Sequence, residues 1–283
     1  MPMKVVTIAT DLENPFLTRL LMPSCRDAGL DLIVLHSTKE QFTFADKRAA
    51  LTAYLSEAAD PDELTVFTDA YDTLFIQGKQ HIERAYARFP QRVVFSGETN
   101  SWPIGVIGLA LRENPPVGRL PYLNSGGFIG PAGDLLDLCT RYPEPPSERF
   151  TVLERLRAHG YDTTAQFSFS DQYHWTLVQL LEPDRIGVDH DAAIFEYYGP
   201  TGSHLVMQEP LYDVIEFREK GVAAGSYQRE RARLLEQLQT PSGAAQLHFA
   251  STVTKAAFLH LLDEGLLPEW VASVTANDTA AAR

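Results

Sequence analysis

The chain has almost no cysteine, no long apolar run and no surplus of positive charge, and each shortage removes a class of protein. Cys25 and Cys139 are the only two cysteines in 283 residues. Both fall in apolar-periodic helical stretches, so buried, reduced thiols are expected rather than a disulfide framework. No apolar stretch reaches the length of a membrane span, and the opening MPMKVVTIAT enters a strand without the apolar segment of a secretory leader. A soluble, cytoplasmic protein is the expectation. Acids outnumber bases 37 to 24, a net charge of −13 that disfavours nucleic acid as a partner, because neutralising phosphates needs clustered Lys and Arg. An acidic chain can still hold an anionic nucleotide where a metal, a lysine or a helix N-terminus supplies local positive charge. Repeats, linkers and low-complexity blocks are missing too. One domain over residues 1–270 is therefore expected, with a flexible polar tail over 271–283.

What is present alternates. Residues 4–10, 32–36, 64–68 and 92–96 read as short buried strands. Helices are expected between them over residues 15–28 (Asn14 as N-cap, Gly29 as stop), 45–58 and 81–89. This order predicts an α/β fold with a mostly parallel central sheet flanked by helices. Further on, residues 122–130 read as a strand interrupted by paired glycines, and residues 133–141, 152–159 and 171–181 as helices. Residues 185–198 and 205–217 read as strands and connections, 227–238 as a solvated charged helix. A last motif at 247–249 precedes a helix over 255–264.

Four stretches carry chemistry. Asp69 and Asp72 follow the strand LTVFT at the end that faces the ligand crevice of an open α/β sheet. Two acids three apart in a turn can aim at one divalent cation, and the cation at a diphosphate, or they can simply cap a helix. Asn124, Ser125, Gly126 and Gly127 suggest either a plain bulge or a close backbone approach to a ligand. Asp171 opens a helix after Ser170, as a base, a positioning group or part of a cap. His248 is followed by Ser251, Thr252 and Lys255; it is either structural or the imidazole of a mixed oxygen and nitrogen site of the kind Mn²⁺ accepts.

Taken in order, VFTDAYDTLF, VVFSGETNSWP, YLNSGGFIGP, SDQYHWTL, IGVDHDAAIFE and LHFAS with a downstream lysine resemble the glycosyltransferase domain of the procollagen lysyl hydroxylase family. They are also similar to the related collagen galactosyltransferases. The resemblance runs from residue 4 to residue 262. It implies a GT-A-type nucleotide-diphospho-sugar transferase fold, a UDP-hexose donor and Mn²⁺. By position it implies Asp69, Asp72 and His248 as metal ligands, Tyr71 against the uracil ring, and Thr10 near the nucleotide. Lys47 would lie by the diphosphate, and Trp102 and Asp171 by the sugar and acceptor; from the residues themselves, Asn124 can contact a sugar and Lys255, seven residues after His248, can neutralise phosphate. Asp189 keeps a family acid, whereas Asp191 does not. Two departures stand out: the acidic run is reduced to Ser170-Asp171, and the HGNG-like loop reads His248-Phe249-Ala250-Ser251.

The expected activity is metal-dependent transfer of a hexose to an acceptor hydroxyl on a peptide, glycan or small metabolite. A catalytically impaired sugar-nucleotide-binding protein is one rival. A haloacid-dehalogenase-like phosphatase is another, but its chemistry needs acids two apart and these are three apart.

Overall fold

The computed structural model describes residues 2–114, 117–200 and 208–275. Strand β1 (Met3–Ala9) leads through a short π-helical turn (Leu17–Leu21) into α1 (Met22–Asp27), then β2 (Leu32–His36), α2 (Phe44–Glu57) and β3 (Leu64–Thr68). Asn14 starts the first helical segment by accepting from the Phe16 amide, and Gly29 ends it with φ 65°. After β3 come β4 (Thr73–Phe75), α3 (Lys79–Tyr86), β5 (Val93–Glu98), α4 (Val106–Ala110), β6 (Tyr122–Pro131) and α5 (Ala132–Arg141). Then α6 (Thr151–Ala158), α7 (Thr163–Phe167) and α8 (Asp171–Leu181) precede β7 (Ile186–Asp189) and β8 (Phe195–Tyr198). The remainder is α9 (Gln208–Lys220), α10 (Gly225–Leu238), β9 (Gln246–Phe249), α11 (Thr252–Asp263) and α12 (Glu269–Thr275).

Six strands form the main sheet in the order β2-β1-β3-β6-β5-β7. All run parallel except β6, which is antiparallel to both its neighbours. The α/β class expected from the alternating pattern is the one observed. Buried strands need apolar residues on both faces; accordingly Val66, Phe67, Val94, Phe95, Phe128 and Ile129 are all essentially inaccessible. On one face Phe67 stacks on Phe128 with ring centroids 4.7 Å apart, and Phe128 stacks on Phe95 at the same distance. Trp175 of α8 closes this layer 5.2 Å from Phe95.

A smaller sheet, β4-β9-β8, brings distant parts of the chain together. Its register sets Thr73 opposite His248 on one side and Tyr197 opposite His248 on the other. The residues immediately after β3 are thus held against the last strand.

Several expectations need correction. Residues 208–217, read as extended, belong to helix α9; part of the expected stretch, 205–207, lies outside the described residues. Helix α10 is not simply solvated. Tyr227, Leu234 and Leu238 form a buried stripe on it and join one apolar cluster with Phe258 and Leu261 of α11. The bulge expected at the paired glycines of β6 is present: Phe95 of β5 pairs with Phe128 but the next residue, Ser96, pairs with Asn124, which leaves Ser125, Gly126 and Gly127 without a partner on β5. At the C-terminal end, α12 carries the chain past residue 270 with Val271 buried, and residues 276–283 lie outside the described residues. Both cysteines are buried and free, as expected. No helix among the described residues is long and apolar enough to cross a membrane.

Candidate active site

The site begins where β3 ends. The Asp69 amide donates to the Gly126 carbonyl (2.9 Å), extending the β3–β6 pairing by one residue before the chain turns. A run of side-chain hydrogen bonds then fixes that turn. Thr73 Oγ1 donates to the Asp69 carbonyl at 2.6 Å, so its hydrogen is committed and Thr68 Oγ1, 2.6 Å away, must donate to it. Gln246 Nε2 in turn donates to Thr68 Oγ1. On the far side the Phe249 amide donates to the Asp72 carbonyl at 2.7 Å. Both acids are thereby tied to β9, and β9 carries His248.

The result is convergence across 176 residues of sequence, from Asp72 to His248. Ligand atoms of Asp69, Asp72 and His248 all lie within 4.8 Å of one another. His248 Nε2 is 3.6 Å from Asp72 Oδ1, and Lys255 Nζ, from the first turn of α11, is 3.4 Å from Asp72 Oδ2. Asp72 Oδ1 and His248 Nδ1 are buried with no hydrogen-bond partner. Burial opposes the charge on Asp72, but His248 and then Lys255 outweigh it and hold the carboxyl down at about 2. Burial likewise opposes an imidazolium at His248, but the Asp72 charge above all raises it past the ordinary histidine value.

Gly126 explains why this strand needs a glycine. A Cβ built there would sit 2.3 Å from His248 Cε1 and within 2.9 Å of both ring nitrogens. The close approach suggested by the paired glycines is therefore to an imidazole of the protein itself.

Helix α2 delivers two cations to the same region. Its start is fixed by a reciprocal cap: Thr43 Oγ1 accepts from the Asp46 amide, and Asp46 Oδ2 accepts from the Thr43 amide. The next two residues are Lys47 and Arg48, in a first turn whose dipole disfavours positive charge. Acids compensate. Lys47 Nζ lies 2.7 Å from Asp69 Oδ1 and 3.6 Å from Asp171 Oδ2, and Arg48 donates to Asp171 Oδ1 at 2.9 Å. Burial alone would lower the Lys47 pKa, but Asp69 and then Asp171 raise it, so the ammonium stays charged. Replacing Lys47 with methionine leaves the buried Asp171 with one partner fewer. It should cost roughly 2–4 kcal/mol of unfolding free energy, read from urea melts; a change within error would mean that water already substitutes for the lysine.

The structure distributes the remaining expected residues as follows. Tyr71 presents its hydroxyl to the amides of Thr10 (2.7 Å) and Asp11 (2.6 Å), which pins it to the exit of β1. Trp102 is half-buried, edge-on to the exposed ring of Phe169 at 6.2 Å. Asn124 is occupied at both ends: Nδ2 donates to Glu98 (2.7 Å) and Oδ1 accepts from the Gly126 amide (2.8 Å). Asp171 is buried, ion-paired, and set beside Ser170, which caps α8. Asp189 spends its carboxylate on the amides of Ala193, Ile194 and Phe195, organising the turn into β8. Asp191 is exposed.

Three residues escaped the sequence reading. Arg48 shares Asp171 with Lys47. Tyr197 sets its ring edge-on to His248, 6.2 Å between centroids. Glu98, at the last position of β5 inside FSGE, is buried and receives donors from Asn124, Gln172 and the Trp102 backbone. Its signal was available, since an acid at the carboxyl end of a buried parallel strand faces the crevice just as Asp69 does.

Burial pushes the Glu98 carboxyl up to about 7 from an ordinary 4.5, despite those donors. An acid with a raised folded pKa favours the native state below its unfolded value and loses that stability as pH rises through 7. Glu98→Gln should therefore raise the unfolding free energy of metal-free protein by roughly 3 kcal/mol at pH 8 and by almost nothing at pH 4. Equal effects at both pH values would show that Glu98 does not titrate in this range.

Two strand-end acids, a facing imidazole and two lysines thus converge at the carboxyl edge of an open α/β sheet. The chain belongs to the PLOD GT domain family, which it matches over residues 2–145. Asp69, Asp72, Glu98, Trp102 and Asn124 fall within that match. Asp171, His248 and Lys255 lie beyond it, so their place in the site rests on the fold. The architecture is a mostly parallel central sheet flanked by helices, as expected.

Among curated proteins, the chain is 30% identical over 151 residues to procollagen-lysine,2-oxoglutarate 5-dioxygenase 1 of Pongo abelii, covering 50% of this chain and 17% of that protein. It is 36% identical over 75 residues to procollagen-lysine,2-oxoglutarate 5-dioxygenase 2 of Homo sapiens, covering 25% and 10%. The chain thus spans less than a fifth of the length of these relatives. Solved structures similar to it include mouse xyloside xylosyltransferase 1, with TM-score 0.48 and 12% identity over 90% of this chain and 99% of that one. Glycosyltransferase GlyE of Streptococcus pneumoniae has TM-score 0.42 and 12% identity, covering 100% of this chain and 64% of that one.

Proposed function

We propose that this domain transfers a hexose from a UDP-sugar to an acceptor hydroxyl in a Mn²⁺-dependent reaction. The observation that carries the reading is the convergence of Asp69, Asp72 and His248 within 4.8 Å. Two carboxylates and an imidazole form a mixed oxygen and nitrogen set suited to Mn²⁺ and less to the all-oxygen preference of Ca²⁺ or Mg²⁺. The unpartnered Asp72 Oδ1 and His248 Nδ1 fit a site built for such an ion. Bound there, a divalent cation supplies Lewis-acid charge that offsets the negative charge developing on a departing diphosphate.

The protein's own groups do the rest. Lys255, 3.4 Å from Asp72, adds fixed positive charge on the same side. Lys47 holds Asp69 in place through a 2.7 Å contact. Tyr71, anchored by the Thr10 and Asp11 amides, offers a flat face on which a uracil can pack. Trp102, edge-on to the exposed ring of Phe169, would pack against the acceptor. Asp171 has both oxygens engaged by Arg48 and Lys47, which favours a positioning role over proton abstraction.

A thermal-shift panel of UDP-glucose, UDP-galactose, UDP-glucuronate and UDP-N-acetylglucosamine, with and without Mn²⁺, tests the donor. Stabilisation should require both nucleotide and metal, and UDP should be released slowly even without acceptor. Asp69→Ala should abolish that release with the fold retained. Stabilisation by GDP- or TDP-sugars alone would end the uracil assignment, and binding without any UDP release would favour the impaired-binder reading.

A further inference from the structure

A second cleft, of about 590 Å³, lies along β7, the edge strand of the main sheet. None of the residues assigned above to the metal, nucleotide or acceptor lines it. Its walls include Phe89, Pro121 and Pro183, and two guanidinium side chains, Arg88 and Arg112, line it as well.

Arg112 is the unusual group. It is half-buried, its guanidinium lies over the Tyr122 ring at 5.6 Å, and its Nε is buried with no hydrogen-bond partner. Among the described residues it makes no ion pair, although the chain carries 37 acids against 24 bases. The two acids that line the cleft do not answer it: the Asp189 carboxylate is committed to three backbone amides, and Asp191 is exposed. Burial lowers the Arg112 pKa with only Tyr122 opposing the shift, as expected for a cation lacking a counter-charge. Across the same cleft, Gln179 of α8 has a buried Oε1 with no donor. A half-buried cation with no counter-charge and an unsatisfied acceptor in one cavity each cost free energy unless a ligand completes them.

We infer that this cleft binds a small hydroxylated oxyanion, a sugar carboxylate or a sugar phosphate, with the Arg112 fork on the oxyanion and Gln179 Oε1 accepting from a hydroxyl. Guanidinium matches either oxyanion in two-pronged fashion. The apolar walls suit the carbon face of a ring, and the inference stands independently of the proposed donor.

Isothermal titration of protein freed of metal on a chelating resin tests it, with glucuronate and glucose 6-phosphate as probes and glucose as the neutral control. At least one anion should bind with a dissociation constant on the order of 1 mM or tighter, and which one binds distinguishes carboxylate from phosphate. Arg112→Gln should weaken binding at least about tenfold, Arg112→Lys less so, and Asp69→Asn not at all. Gln179→Leu, which keeps the charge, should weaken it several-fold. The inference is overturned if neither anion binds up to about 20 mM, if glucose binds as well as the anions, or if folded Arg112→Lys and Gln179→Leu proteins both bind as the parent does. Loss of binding in Asp69→Asn would place the anion in the first site and equally end it.

Discussion

Replacing Asp72 with asparagine should reduce Mn²⁺-dependent UDP release by at least about 10²-fold, since even the partners that merely orient a metal ligand are worth roughly 10- to 100-fold. The side chain keeps its shape but forfeits the charge on which both His248 and Lys255 converge. Mn²⁺ affinity, followed by the loss of the free-ion signal in electron paramagnetic resonance, should fall in parallel, whereas the far-ultraviolet dichroism should not change. Stability at pH 7 should fall by roughly 1–2 kcal/mol, because a carboxyl held at about 2 favours the folded state at neutral pH and asparagine forfeits that charge. Turnover and ion affinity both at parental levels would remove Asp72 from the ligand set.

Gly126→Ala should be almost as damaging, although the substitution adds a single methyl group. The new carbon falls 2.3 Å from His248 Cε1. The imidazole cannot retreat with its backbone, since β9 is paired on both sides at that residue. The ring must rotate and carry Nε2 away from Asp72. We expect a destabilisation of about 1–3 kcal/mol from overpacking and Mn²⁺ affinity lowered roughly 10²-fold, the upper range for disturbing a ligand's setting. Combining Gly126→Ala with His248→Ala separates the two effects. Truncating the ring removes the clash, so the double variant should melt higher than the sum of the single losses implies, yet it should not regain ion binding. Simple additivity would mean that the methyl group strains β6 rather than His248.

The parallel core was readable because its strands are buried on both faces and therefore appear as uninterrupted apolar runs. Helix α8 was readable because Ser170 caps it, and its observed span, Asp171–Leu181, coincides with the expected one. Helix α9 was misread. Leu211, Tyr212 and Ile215 give that stretch the look of a strand, but all three are exposed, and Val214 and Phe217 supply the packed face instead. The small sheet was legible only in part: β8 falls within the stretch 185–198 read as strands and connections, but its strands have three or four residues and their pairing joins positions far apart in the chain. For the site, resemblance supplied the names of Asp69, Asp72 and His248, and the coordinates supplied the reason they meet. The internal bonding of Asn124, the sharing of Asp171 by two cations and the burial of Glu98 depend on neighbours that no local pattern reveals. Ser251 is instructive here. The loop lacks the glycines of the HGNG-like pattern, yet Ser251 holds φ 84°, a conformation glycine adopts without strain, while its hydroxyl caps α11.

The placement of Lys47 and Lys255 has one more consequence. Acids gathered for a doubly charged ion would ordinarily push one another apart whenever that ion departs. Here each carboxylate already has a resident ammonium, Lys47 for Asp69 and Lys255 for Asp72. If the crevice holds a divalent ion as proposed, these two lysines let it lose and regain that ion without rebuilding its walls.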